Sequence, residues 1–129
     1  MAVDSVRESL HAHGDRYLER VYTPRELEDC TATAGPDPER LAGRFAAKEA
    51  AVKVIRPGET GMSLREIEVT RQSDGSVGLS LSGTAERIAG AAGLGELSLS
   101  ISHEGGFATA VVAGFLGLRN PADDPMMKR

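Results

Sequence analysis

The sequence predicts an α+β domain in which an antiparallel sheet packs against one long central helix and several shorter helices. Three observations predict it. The alanine-rich stretch from Leu41 to Lys53 has no glycine after Gly43 and no proline before Pro57, as an uninterrupted helix requires. Apolar and polar residues alternate at Leu64–Thr70, Val77–Ser82 and Leu97–Ser102, Phe107–Ala113 is a further strand, and short glycine-bearing turns join these runs two by two, which makes each pair an antiparallel hairpin. The elements also come as a strand stub, helices, the central helix, a hairpin, a short helix and a second hairpin, so neighbouring strands pair locally.

Taken in order, Met1-Ala2-Val3 predicts only a stub of strand ending at Asp4. A weak stretch from Ser5 ends at Gly14, and Tyr17, Leu18, Val21 and Tyr22 then recur at helical spacing, with Arg16 and Arg20 on another face. Thr23-Pro24-Arg25-Glu26 carries the signs of a capping box, with Thr as cap, Pro at the first helical position and Glu three after the cap. A short helix to about Cys30 and a surface loop from Thr31 to Pro38 follow. The central helix stops at Arg56-Pro57-Gly58, Asp74-Gly75 turns the first hairpin, Thr84 to Ala92 forms a helix closed by Gly93, and Gly105-Gly106 turns the second hairpin. By strand parity His103 shares the face of Leu97, Leu99 and Ile101. The single domain is expected to span residues 1–118, with 119–129 a flexible tail.

At 129 residues with no Trp, three Phe and two Tyr, the core must be built mostly from Leu, Val, Ile and Ala. A net charge of -4 shows no nucleic-acid footprint. The single cysteine, Cys30, excludes an intrachain disulfide framework. No signal-peptide pattern or bilayer-length apolar run is present, so a soluble cytoplasmic protein with no membrane partner is expected.

The central helix carries the first chemical signal. At roughly 100° per residue, Leu41, Phe45 and Val52 fall in a narrow arc, and Glu49 lies between that arc and Ala42, placing a carboxylate at or beside the buried side. Such a carboxylate needs compensation: an ion pair with Lys53 one turn on, or a bound metal with Lys53 on a phosphate. Asp4 after the first strand and His103 closing the serine-rich strand also sit at ends of elements. Capping a helix and filling a rim position are the ordinary explanations for these two. Two carboxylates suit Mg²⁺, which keeps waters and commonly binds substrate phosphates as well. His11, His13, His103 and Cys30 lack the spacing of a structural zinc site, and no Walker or dinucleotide-binding glycine motif is present.

RYLERVYTPRELEDC at Arg16–Cys30, LAGRFAAKEAAVKVI at Leu41–Ile55, the DGSVGLSLSG hairpin and SISHEGGFATAVV at Ser100–Val112 occur in the order and spacing of a known family. From Asp4 to about Ala113 the chain resembles the holo-acyl-carrier-protein synthases, the small single-domain branch of the 4'-phosphopantetheinyl transferase superfamily. The resemblance implies transfer of the phosphopantetheine arm of coenzyme A to a serine of an apo acyl carrier protein, with release of adenosine 3',5'-bisphosphate. It also implies Asp4 and Glu49 as Mg²⁺ ligands, Lys53 on the pyrophosphate and His103 in the coenzyme A site. Lys48, Arg44 and the loop at Gly83 fall near the nucleotide. Arg16, Arg20 and Arg25 are the expected docking residues for an acidic carrier, and a homotrimer with active sites at subunit boundaries is expected. For the serine proton the candidates are a water on the ion, Glu49 and Glu104.

The chain departs from the family pattern in three places. Only three residues precede Asp4, Leu10 stands where an arginine is usual, and the turn after Asp74-Gly75 lacks the common proline. A short lead predicts a loosely held Asp4. Two other classes remain open: a degenerate relative that binds carrier or coenzyme A without turnover, and a metal-dependent nucleotide diphosphate hydrolase.

Overall fold

A computed structural model describes residues 1–117, so the expected domain end at 118 and the expected tail lie outside the described residues. The chain forms α1 (Val3–His13), α2 (Asp15–Val21), α3 (Pro24–Asp29), β1 (Thr31–Ala32), β2 (Gly35–Pro36), α4 (Pro38–Ile55), a 3₁₀ turn (Leu64–Glu66), β3 (Ile67–Arg71), β4 (Val77–Leu81), α5 (Gly83–Ala91), β5 (Leu94–Glu104) and β6 (Phe107–Leu116).

The N-terminus differs from expectation. Ala2 alone bridges to Phe107, flanked by bonds from the Met1 ammonium to Ala108 O at 2.9 Å and from Ala108 N–H to Met1 O at 2.8 Å. The helix already begins at Val3, because Val3 and Val6, one turn apart, both bury against the core. Asp4 therefore sits in a first helical turn, not at a strand end.

Local signals elsewhere hold. Thr23 Oγ1 accepts from Glu26 N–H at 3.2 Å while Glu26 Oε1 accepts from Thr23 N–H at 2.9 Å, completing the capping box. Arg56 closes α4 in the left-handed region at φ 56°, its N–H on Val52 O. The loop from Thr31 to Pro38 folds into the small β1–β2 hairpin, and Leu64 belongs to the 3₁₀ turn, so β3 starts only at Ile67.

Among the described residues the strands form three separate antiparallel pairs, β1–β2, β3–β4 and β5–β6, and not one continuous sheet. The reason lies in β5: its register slips between Leu94 and Leu97, where it faces Leu79–Leu81 of β4 across a gap of about 370 Å³. A bulge there leaves no run of backbone groups in phase with β4.

Helix α4 is the axis of the fold. Val3, Val6, Leu18, Val21, Tyr22 and Cys30 pack on its first half, while Ile67 and Ala85 pack on its second around Ala51 and Ile55. The β5–β6 hairpin lies along another side, and close approach is what sets the contact: a Cβ on Gly114 would meet Leu97 at 2.7 Å and Val54 at 3.1 Å. The buried face of α4 is consequently made of Ala42, Gly43, Ala46, Ala47 and Ala51 together with Leu41 and Ile55.

Candidate active site

Two adjacent charged residues of α4 have opposite fates. Lys48 is completely buried, with its ammonium 2.7 Å from Glu26 Oε1 and donating to the carbonyls of Leu64 (2.9 Å) and Ile67 (2.6 Å). Glu26, equally buried, also accepts from Val69 N–H at 2.7 Å. This node ties α3, α4, the 3₁₀ turn and β3 together, and burial holds the Lys48 pKa below the usual lysine value against the opposing pull of Glu26. The expectation that Lys48 faces a nucleotide is thereby corrected: all three of its N–H donors have partners inside the core.

Glu49 is exposed, so of the two expected places, at the buried side or at its edge, the first is corrected, and the carboxylate lies beside buried Ala46 in an open groove. Large apolar residues define the helical arc in the sequence, whereas small residues fix the face that the hairpin covers. Glu49 and Lys53 line one groove of about 560 Å³ along β6, with Met1, Ala46, Ala50 and residues Ala108 to Val112. Among the described residues these two form no ion pair with each other or with any other group. An unpaired carboxylate and an unpaired ammonium one turn apart thus open onto the same space.

Asp4 is not in that groove. Its carboxylate is 85% exposed and accepts from Arg7 Nη1 at 2.9 Å. No cluster of three or more His, Cys, Asp or Glu occurs among the described residues, and the expected donor set, Asp4 with Glu49, is not assembled in one pocket. That donor set, two hard carboxylates and no nitrogen or sulfur, fits Mg²⁺, and an exposed i,i+3 ion pair holds Asp4 by at most about 1 kcal/mol.

The opposite flank of α4 is basic. Arg44 and Lys53 are nine positions apart, about 180° around the helix. Arg40 and Arg44 line a second groove of about 430 Å³ with Leu99, Ser100, Ile101 and His103 of β5 and, across it, Arg71, Gly75 and Ser76 from the β3–β4 hairpin. Strand parity holds, since His103 and Ile101 both reach within 3.1 Å of the Cβ that Gly43 lacks. His103 Nε2 lies 2.8 Å from Glu39 O, which can only accept, so Nε2 carries a proton. Arg44 is 93% buried with its Nε unpartnered.

Gly83 lines neither groove. It opens α5 at φ 54°, where a side chain would crowd Glu66 Cδ at 3.2 Å. Glu66 Oε2 meanwhile accepts from Ala85 N–H, so the glycine is a conformational requirement at this turn. Arg16 and Arg20 come together with His13 and Tyr17 around a hollow of about 310 Å³, and Arg25 is exposed on α3 outside it. Tyr17 continues inward, its hydroxyl 2.7 Å from that of Tyr22, which donates to Leu41 O. Burial pushes the Cys30 thiol up to about 11, away from a reactive thiolate. Sequence reading took Glu26 only as half of a capping box and missed its partner Lys48, 22 residues away across the core, and it did not single out Arg71, which lines the groove with His103.

The model of the 4'-phosphopantetheinyl transferase superfamily matches residues 1–112. A holo-[acyl-carrier-protein] synthase of Halothermothrix orenii is 39% identical over 112 residues, covering 87% of this chain and 89% of that protein. One from Leptospira biflexa is 41% identical over 114 residues, covering 87% and 88%. The crystal structure of the Helicobacter pylori holo-[acyl-carrier-protein] synthase in complex with coenzyme A superposes with a TM-score of 0.76 at 27% identity, covering 89% of this chain and 95% of that one. The α+β fold is shared, and the chain belongs to the 4'-phosphopantetheinyl transferase superfamily, within its holo-[acyl-carrier-protein] synthase branch.

Proposed function

We propose that the protein transfers the 4'-phosphopantetheine arm of coenzyme A to a serine of an apo acyl carrier protein, in a Mg²⁺-dependent reaction that releases adenosine 3',5'-bisphosphate. The observation that carries this reading is the groove in which Glu49 and Lys53 stand exposed one turn apart while neighbouring Lys48 is locked in the core. Attack of the serine oxygen forms a P–O bond and breaks the diphosphate, so negative charge grows on the phosphoryl oxygens and on the leaving phosphate. Lys53 neutralises part of that charge from a position fixed by α4. Glu49, with Asp4 once Arg7 releases it, would hold the cation, which when bound supplies electrophilic stabilisation of the diphosphate. Glu49 and Glu104 are the chain's own candidates to take the serine proton, and water is the third.

Coenzyme A carries both a diphosphate and a phosphomonoester, and the two grooves that attract anions lie on opposite flanks of one helix. A homotrimer, in which the β6 flank of one subunit meets the β5 flank of the next, brings them to one ligand. The outer face of β6 supports this assembly, since Phe107, Val111 and Phe115 stand 57%, 64% and 73% exposed along it. Arg16, Arg20 and Arg25 are the docking cations for an acidic carrier. No helix among the described residues is long and apolar enough to cross a membrane; a cytoplasmic site of action is part of the proposal.

Mass spectrometry of apo carrier incubated with coenzyme A and Mg²⁺ tests the proposal. A gain of about 340 Da on the carrier is expected. Unmodified carrier with intact coenzyme A would identify a binding protein, and cleaved coenzyme A with unmodified carrier a hydrolase.

A further inference from the structure

We infer that Glu26 is a positioning residue: through Lys48 it fixes the rotation of α4 about its own axis, and with it the direction in which Glu49 and Lys53 meet the substrate. The inference rests on the functional reading above and deepens it, because it concerns the aim of the same two side chains.

Little else along the middle of α4 resists rotation. Between Leu41 and Ile55 the only completely buried side chain longer than a methyl group is that of Lys48. Arg44, the other long side chain turned inward there, has no ion-pair partner among the described residues. The rest of the buried face is Ala42, Gly43, Ala46, Ala47 and Ala51, which offers shallow ridges to its neighbours and lets the helix turn against them. A turn of about 20° carries a group at the outer radius of a helix, about 6 Å from the axis, through about 2 Å. Reacting groups misplaced by about 1 Å already lose much of their effect.

The Lys48 ammonium is tied down on three sides, by Glu26 Oε1 at 2.7 Å and by the carbonyls of Leu64 and Ile67 at 2.9 and 2.6 Å. Glu26 is itself anchored, accepting from Thr23 N–H at 2.9 Å through Oε1 and from Val69 N–H at 2.7 Å through Oε2. Ile67 and Val69 face Leu81 and Leu79 of β4 in the hairpin register, yet their carbonyl and N–H turn to these side chains on the other edge of β3. Glu26 and Lys48 therefore stand where a third strand would, and they join α4 to α3, the 3₁₀ turn and β3 at a point one residue from Glu49. An ammonium with every donor used inside the core cannot swing with the helix.

Steady-state kinetics of the double variant Glu26→Gln/Lys48→Met test the inference. The new amide still accepts from Val69 N–H and the methionine fills the space of the lysine stem, so the core stays occupied while the charged link between α3 and α4 is cut. At a temperature where circular dichroism shows the variant fully folded, kcat is expected to fall about tenfold or more, with the KM values for coenzyme A and carrier within about twofold. A fully folded variant with wild-type kcat, or one whose loss lies in KM alone, overturns the role of Glu26. Should the double variant not fold, Glu26→Asp replaces it, since it keeps the charge and shortens the reach by one methylene. A severalfold lower kcat at unchanged KM then supports the inference, and an unchanged kcat overturns it. Transfer by the wild-type protein in the same assay keeps the functional reading intact whatever the variants do, and a wild-type protein that leaves the carrier unmodified overturns both.

Discussion

Two ion pairs in this chain contrast sharply. Glu26–Lys48 joins groups 22 residues apart at 2.7 Å with both side chains completely buried, whereas Asp4–Arg7 joins neighbours on α1 at 2.9 Å in open solvent. In the first, every donor of the ammonium and both carboxylate oxygens are used, so the pair is part of the fold. In the second, water competes for both partners, and the carboxylate stays available to a better ligand. The same rule separates Lys48 from its neighbour Glu49: burial commits a charge to structure, and exposure in a groove leaves it for chemistry.

The largest break of this contrast is Lys48→Met. It strands the Glu26 carboxylate and two carbonyls in the core, and a loss of about 3–5 kcal/mol in unfolding free energy is expected from denaturant titration. Adding Glu26→Gln should recover part of the loss, and an unchanged midpoint in the single variant would show the node to be dispensable. Glu49→Ala is next: transfer activity should fall by about 10²–10³-fold while stability stays within about 0.5 kcal/mol. Asp4→Ala should likewise remove Mg²⁺-dependent transfer without unfolding. Turnover that survives in Glu49→Ala would retire the proposed cation site.

Reversing Arg16 and Arg20 to Glu should raise the KM for carrier roughly tenfold at low salt and leave that for coenzyme A unchanged. Equal changes in both constants would place these arginines outside the docking surface. The smallest effect belongs to Arg7→Gln, which should shift stability by less than about 1 kcal/mol because its pair is exposed. A loss as large as that of Lys48→Met would erase the distinction between the two pairs.

Much of the fold was legible locally. The Thr23–Glu26 capping box, the glycine turns of the hairpins and the alternation in β4 and β5 are written in short stretches, and they formed as read. What failed was any judgement of depth. The large apolar residues of α4 suggested its buried side, yet Phe45 and Val52 are only partly buried, and alanines and glycines line the contact because the hairpin comes too close for anything larger. The single sheet failed for a related reason, since the bulge at Leu94–Leu97 is invisible in alternation alone.

The sequence by itself determined the α+β class, the family and the neighbourhood of Glu49 and Lys53 on one turn, because helical spacing, turn chemistry and motif order act over a few residues. Only the tertiary structure decided which charges are free. Whether a lysine pairs with a glutamate or faces solvent depends on which elements close over it, and that was settled by α3, β3 and the β5–β6 hairpin packing around α4. Desolvation is a property of the enclosing surfaces, and no single stretch of chain contains them.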